Sequence, residues 1–226
     1  MPSLTAPTIR EGFAYYIVVA PLPEACSKIR YETSIRKTLL MTVAFLLFDD
    51  LTALDLIGAY DPITRLKTMG FVDDFAWDLC AFREPISDAR GLHFTPDCVG
   101  SALDAYDLLV VPGGHGTALL QEDDAFLKWM RTAEPVGLKA SVCTGSLLLG
   151  AAGFLDDRRA TTHPNAFDDL APYCAQVVDD RVVDVGDVIT ARGVSAGIDL
   201  GLHVVERLTG PTVRRQIARQ MDYPHT

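Results

Sequence analysis

The sequence predicts a doubly wound α/β domain, a mostly parallel sheet with helices on both faces, and three observations carry that expectation. From Met41 onward, short β-rich runs alternate with segments of helical periodicity, the signature of a parallel sheet covered on both sides. One of those runs, "LLVV" at 108–111, is apolar without interruption, as a strand buried on both faces has to be. The chain also has material for a sizeable core, with 49% apolar and 22% charged residues over 226 positions.

Each element follows in order. "TVAFLLF" (Thr42 to Phe48) reads as the first strand, and a helix is expected from about Leu54 to Met69. "FAWDLCAF" (Phe75 to Phe82) shows partial alternation and reads as a second strand. "DLLVVPGGHG" (Asp107 to Gly116) is a buried strand that ends in a glycine turn. The stretch "TALLQEDDAFLKWMRTA" places Leu119, Leu120, Phe126, Leu127 and Met130 at helical spacing. A further strand stops at Val142, a sharp turn falls at Cys143, and a helix begins near Gly145 with Leu147, Leu148 and Leu149 starting its core face. "RVVDVGDVITA" (Arg181 to Ala191) reads as a hairpin around Gly186-Asp187. "SAGIDLGLHVVERL" is an amphipathic helix opened by Ser195, and "TVRRQIARQM" a final helix. The domain is thus expected over 41–226. Residues 1–40 read as an N-terminal extension, either disordered or the product of a misassigned start, because the strand pattern begins only at Met41.

Bulk properties narrow the function. The 30 acidic residues outnumber the 20 basic ones, for a net charge of −10, which argues against a nucleic-acid partner. No apolar run reaches the roughly 18 to 20 residues of a membrane span. The five cysteines form no C-x-x-C pair, so neither a disulfide framework nor a zinc site is expected, and a reducing cytoplasmic setting is the plainer reading.

Three signals converge at the carboxyl ends of the strands, where ligands bind in this class of fold. Cys143 sits at a strand-to-helix turn, a position that exposes a nucleophile and is expected to favour its thiolate through the helix terminus. Cys26, Cys80, Cys98 and Cys174 lack that setting and read as packing residues. Gly113 and Gly114 follow Pro112 at a strand end, and their N–H groups are expected to face a developing anion. Asp55 stands among Leu54, Leu56 and Ile57, where a carboxylate is costly unless paired or protonated. Because Thr52 and Asp50 offer earlier helix caps, Asp55 is expected to move protons rather than to cap. His163, before Pro164, is read as shaping a helix start, and His203 with Glu206 as an ordinary helix surface.

With those residues in view, "FLLFDDLTALDLIGAYD", "DLLVVPGGHG", "SVCTGSLLLGAAGFLDDRRATTH" and "GVSAGIDLGL" resemble the ThiJ/PfpI superfamily, and within it the branch that hydrates isonitriles. The resemblance implies a flavodoxin-like, class I glutamine amidotransferase-like fold and a cofactor-free, metal-free hydro-lyase. Its substrate would be a small apolar isonitrile and its product an N-substituted formamide. By the same resemblance Cys143 is the nucleophile, Asp55 the acid/base carboxylate and Thr144 the hydroxyl beside the nucleophile. Gly113 and Gly114 would lie on the oxyanion side, with Ile57 lining the substrate crevice, and the protein would be a homodimer. Hydrolytic branches generally carry histidine where Thr144 stands, and glyoxalase-like branches glutamate where Asp55 stands. Ile57, Ala59 and Arg192 depart from the residues usual in close relatives. Two other readings stay open: a non-catalytic sensing domain related to AraC-family regulators, and glyoxalase or deglycase activity.

Overall fold

The computed structural model describes residues 41–224, and its centre is a strand buried over most of its length. β1 (Met41–Leu47) has Val43 to Leu47 fully buried, because it pairs in parallel with β2 (Phe75–Ala81) on one side and β6 (Leu108–Val111) on the other. Between β1 and β2 lies helix α1 (Ala53–Thr68). After β2 the chain forms a short hairpin of β3 (Ile86–Ser87) and β4 (His93–Phe94), then adds β5 (Cys98–Val99) to the sheet edge. β6 leads through α2 (Thr117–Leu120) and α3 (Asp124–Met130) to β7 (Leu138–Val142), followed by α4 (Gly145–Ala151). A two-stranded piece of β8 (Arg159–Ala160) and β9 (Gln176–Val177) brackets α5 (Phe167–Leu170). β10 (Val182–Asp184) and β11 (Val188–Ala191) form an antiparallel hairpin, and α6 (Ala196–Thr209) and α7 (Pro211–Gln220) complete the domain.

The main sheet runs β10-β11-β7-β6-β1-β2-β5, and only β10 is antiparallel to its neighbour. The expected class is therefore the observed one. The hairpin sits where "VGD" placed it, with Gly186 at φ +102, a left-handed conformation that glycine adopts without steric cost. The stretch 117–133 differs from the expected single helix. Asp123 interrupts it by accepting hydrogen bonds from the Ala125 and Phe126 N–H groups at 3.0 and 3.1 Å, which starts α3 afresh. Ser195 occupies the N-cap of α6 but does not cap it; its hydroxyl accepts from Arg181 at 3.3 Å. Among the described residues no helix is long and apolar enough to cross a membrane. The expectation for residues 1–40 lies outside the described residues.

The helical layer that matters for the site is the α1–α6 pair. The two helices meet through small residues: a Cβ on Gly58 would lie 3.3 Å from the Gly197 backbone, and one on Gly197 would lie 3.3 Å from the Asp55 carbonyl. Within the first turn of α1 this close approach leaves Asp55 with no solvent exposure, while Leu54 on the other face stays exposed. Gly201→Ala would set a methyl group 2.3 Å from Pro62 Cγ and 2.8 Å from the Ala59 carbonyl, so the helices must separate. We expect that substitution to cost about 1–3 kcal/mol, read as a lower urea midpoint at unchanged slope. An unchanged midpoint would show that the seam is looser than this.

Candidate active site

Cys143 occupies a strained elbow between β7 and α4. Its φ is +57, a conformation an L-residue holds only when its surroundings impose it. They do so from several sides. The Cys143 N–H donates to the carbonyls of Ala191 and Arg192 at 3.0 and 3.2 Å. Its carbonyl accepts from the hydroxyls of Ser146 at 3.1 Å and Thr162 at 2.9 Å. Gly145 completes the turn, since a Cβ there would lie 2.4 Å from the Val111 carbonyl. Ser146 and Thr162, whose hydroxyls hold the Cys143 carbonyl, were not expected as site residues, although both lie inside the stretch that carries the resemblance.

Asp55 meets Cys143 from the other side. It lies in the first turn of α1 with no solvent exposure, and its Oδ2 accepts from the Gly113 N–H at 3.2 Å. Its Oδ1 is buried with no hydrogen-bond partner among the described residues. The loops that bring them together are fastened by backbone: the Thr52 N–H donates to the Gly113 carbonyl at 2.8 Å, and the Gly116 N–H to the Asp50 carbonyl at 3.2 Å. Only glycine fits at 113, where a Cβ would stand 2.8 Å from both Asp55 Oδ2 and Cys143 Cβ. The carboxyl and the thiol face each other across that gap.

Burial sets the protonation of the pair. It raises the Asp55 pKa to about 6, against the opposing pull of Cys143 and the Gly113 N–H. The thiol of Cys143 is pushed up to about 12, first by burial and then by the Asp55 charge, while Thr144 pulls the other way. This corrects the expectation of a helix-stabilised thiolate. A cysteine this buried, with its sulfur set against a carboxylate, stays a thiol at neutral pH.

The other expected residues divide. Thr144 is beside the nucleophile, but its hydroxyl is tied to Gly114, accepting from the N–H at 3.0 Å and lying 3.2 Å from the carbonyl. The N–H groups of Gly113 and Gly114 are thus turned onto Asp55 and Thr144 instead of onto open space, which corrects the expected anion-facing pair. Ile57 is brought away from the pair. Two residues past Asp55 on a helix of about 100° per residue, it leaves α1 on the far side and is 44% exposed. Asp55 does not cap α1, as expected, but neither does the Thr52 side chain. His163 shapes a helix start as read, its Nδ1 accepting from the Asn165 N–H at 3.2 Å. His203 pairs with Asp184 at 2.7 Å, away from the site. Among the described residues no cluster of three or more His, Cys, Asp or Glu is arranged to hold a metal ion.

A mostly parallel sheet with a positive-φ cysteine at a strand-to-helix elbow defines a doubly wound α/β protein with its candidate site at that elbow. The chain belongs to the DJ-1/PfpI family, whose pattern matches residues 41–207. It is 37% identical to isonitrile hydratase of Pseudomonas putida, over 81% of this chain and 78% of that protein. It is 30% identical to the HTH-type transcriptional regulator CdhR of Pseudomonas aeruginosa over 78% of this chain, which spans 53% of the regulator. A ThiJ/PfpI family protein from Pseudomonas syringae superposes with a TM-score of 0.74 at 28% identity, covering 90% of this chain and 84% of that one.

The buried carboxyl has a consequence for stability. Asp55 is neutral in both folded and unfolded chains below its unfolded pKa of 3.8 and ionised in both above about 6. The folded state therefore loses stability as pH rises between those values, by about 3 kcal/mol at most. Asp55→Asn removes that loss and keeps the shape. We expect urea unfolding to show the variant more stable than the wild type near pH 8, with the gap closing near pH 4. A variant less stable at both pH values would contradict a carboxylate strained by burial.

Proposed function

We propose that the protein hydrates isonitriles to N-substituted formamides, with Cys143 as nucleophile and Asp55 as the group that carries protons. The observation that supports this most is the facing pair itself: a protonated thiol against a carboxyl group whose pKa of about 6 lets it accept and return a proton near neutrality. The 37% identity to isonitrile hydratase supports the choice of substrate.

The steps balance without a cofactor. Ionised Asp55 takes the thiol proton as a sulfur lone pair forms a bond to the terminal isonitrile carbon. It then delivers that proton to the same carbon, leaving a thioimidate, Cys143 S–CH=N–R. A water oxygen bonds to this carbon while Asp55 takes one of its protons and passes it to nitrogen. The carbon–sulfur bond breaks, the hydroxyl proton returns through Asp55 to sulfur, and HC(=O)–NH–R leaves. Thr144 and Gly113 act here as positioning residues, holding the Gly113–Gly114 turn against the two reacting side chains. By the same reading the enzyme works in a reducing cytoplasm as a homodimer. Sedimentation should give twice the chain mass of 24.6 kDa, and a monomer at all working concentrations would remove the dimer.

A sensing role is supported by the similarity to part of a transcriptional regulator. Turnover separates the two, because a sensor binds without product. With cyclohexyl isocyanide, we expect Asp55→Asn to lower kcat by about 10²- to 10⁴-fold and Cys143→Ala by more. The double variant should be no slower than Cys143→Ala, since both residues serve one sequence of steps. The wild-type kcat/KM should rise with pH and level off above an apparent pKa of about 6, as Asp55 ionises. Near-normal turnover in either single variant, or a wild type that turns over methylglyoxal but no isonitrile, would overturn the proposal.

A further inference from the structure

We infer that the cavity beside the elbow recognises a carboxylate on the substrate and that Arg192 is the residue that reads it; this rests on the isonitrile reading for the reacting end alone. The cavity, of about 530 Å³, is lined by Leu54, His163, Arg181, Arg192 and Ser195, among others. It borders the reacting pair through the chain itself. Leu54 precedes Asp55, the Arg192 carbonyl holds the Cys143 N–H at 3.2 Å, and His163 follows Thr162, which holds the Cys143 carbonyl at 2.9 Å. Neither Asp55 nor Cys143 lines the cavity, and the skeleton of a molecule whose isonitrile carbon is at Cys143 is placed there by inference.

The charged side chains that line the cavity are basic, and each arginine already meets one carboxylate behind it. Two arginines and a histidine face the cavity, and no acid does, although the chain carries a net charge of −10. The two arginines are held differently. Arg181 is anchored, with Nε donating to Asp199 at 2.7 Å and Nη2 to Ser195 Oγ at 3.3 Å. Arg192 is less committed. Its Nη1 pairs with Asp179, whose side chain is 68% exposed, and its guanidinium lies 5.9 Å from the Phe167 ring centre. Nε and Nη2 make no hydrogen bond among the described residues. A pair with so exposed a partner adds little, so a carboxylate entering the cavity can take up the guanidinium fork, which fits its geometry with two parallel bonds. Leu54 and Pro164 offer apolar wall to the carbon skeleton. This departs from the small apolar isonitrile expected from sequence by giving the substrate a carboxylate at the end away from the isonitrile.

The test compares para-isocyanobenzoate with phenyl isocyanide. In the wild type, kcat/KM should favour the carboxylate by about tenfold, mostly through KM. In Arg192→Ala that ratio should fall towards one, and Arg192→Lys should restore part of it; melting curves check that both variants fold, and Arg192→Gln replaces the alanine variant if it does not. Calorimetry with the product para-formamidobenzoate gives a readout that needs no turnover. Its Kd should weaken about tenfold in Arg192→Ala and also with added salt. A wild-type ratio at or below one, or a ratio that Arg192→Ala leaves unchanged, overturns the inference. Hydration of phenyl isocyanide without any preference leaves the isonitrile reading standing and removes this one. Arg192-dependent binding of para-formamidobenzoate with neither isonitrile turned over does the reverse.

Discussion

A carboxyl group denied water is the constraint around which this domain is arranged. Asp55 has no solvent exposure, one of its oxygens accepts a single backbone N–H, and the other has no hydrogen-bond partner among the described residues. Such a group is expensive to hold, and the fold holds it by backbone closeness instead of counter-charge. The tight helix seam of Gly58 and Gly197 closes one side, and the Gly113 turn closes the other, with no space for a Cβ at Gly113. An arginine beside Asp55 would keep the carboxylate ionised and hold its pKa well below the value that burial gives it.

The same closure sets the chemistry of the sulfur. At an open elbow a helix terminus lowers a thiol's pKa, yet here burial and the neighbouring carboxylate outweigh it and push Cys143 up to about 12. The pair is therefore a thiol beside a carboxyl group, and under the proposed mechanism the thiolate forms only as a proton moves to Asp55. Strain at φ +57 is the cost of aiming the sulfur, offset by the hydrogen bonds of Ser146, Thr162 and the carbonyls after β11. Those last carbonyls also tie the nucleophile to the segment that carries Arg192, so the residue that holds the elbow's backbone and the residue that lines the neighbouring cavity are one.

What the sequence determined by itself is what neighbours along the chain decide. The run "LLVV" had to be a buried parallel strand because it offers no polar face, and "VCTG" had to be a turn into a helix because Gly145 follows the cysteine at the end of an apolar run. The Gly186 hairpin was legible for the same reason. Asp55 could be picked out because a carboxylate among leucines has no ordinary place. What the tertiary structure alone decided depends on which distant surface covers a residue. The protonation of Asp55 and Cys143 follows from their burial against each other, a contact between residues far apart in the chain. The glycine N–H groups turned inward because Asp55 and Thr144 arrive from two other elements to meet them. Ile57 turned outward because helix geometry, once Asp55 is fixed inward, sends it to the far side. The break at Asp123 was hidden because helical spacing counts apolar positions and does not register one side chain bonding its own backbone. Desolvation is a sum over everything that packs around a group, and a linear sequence states only part of that sum.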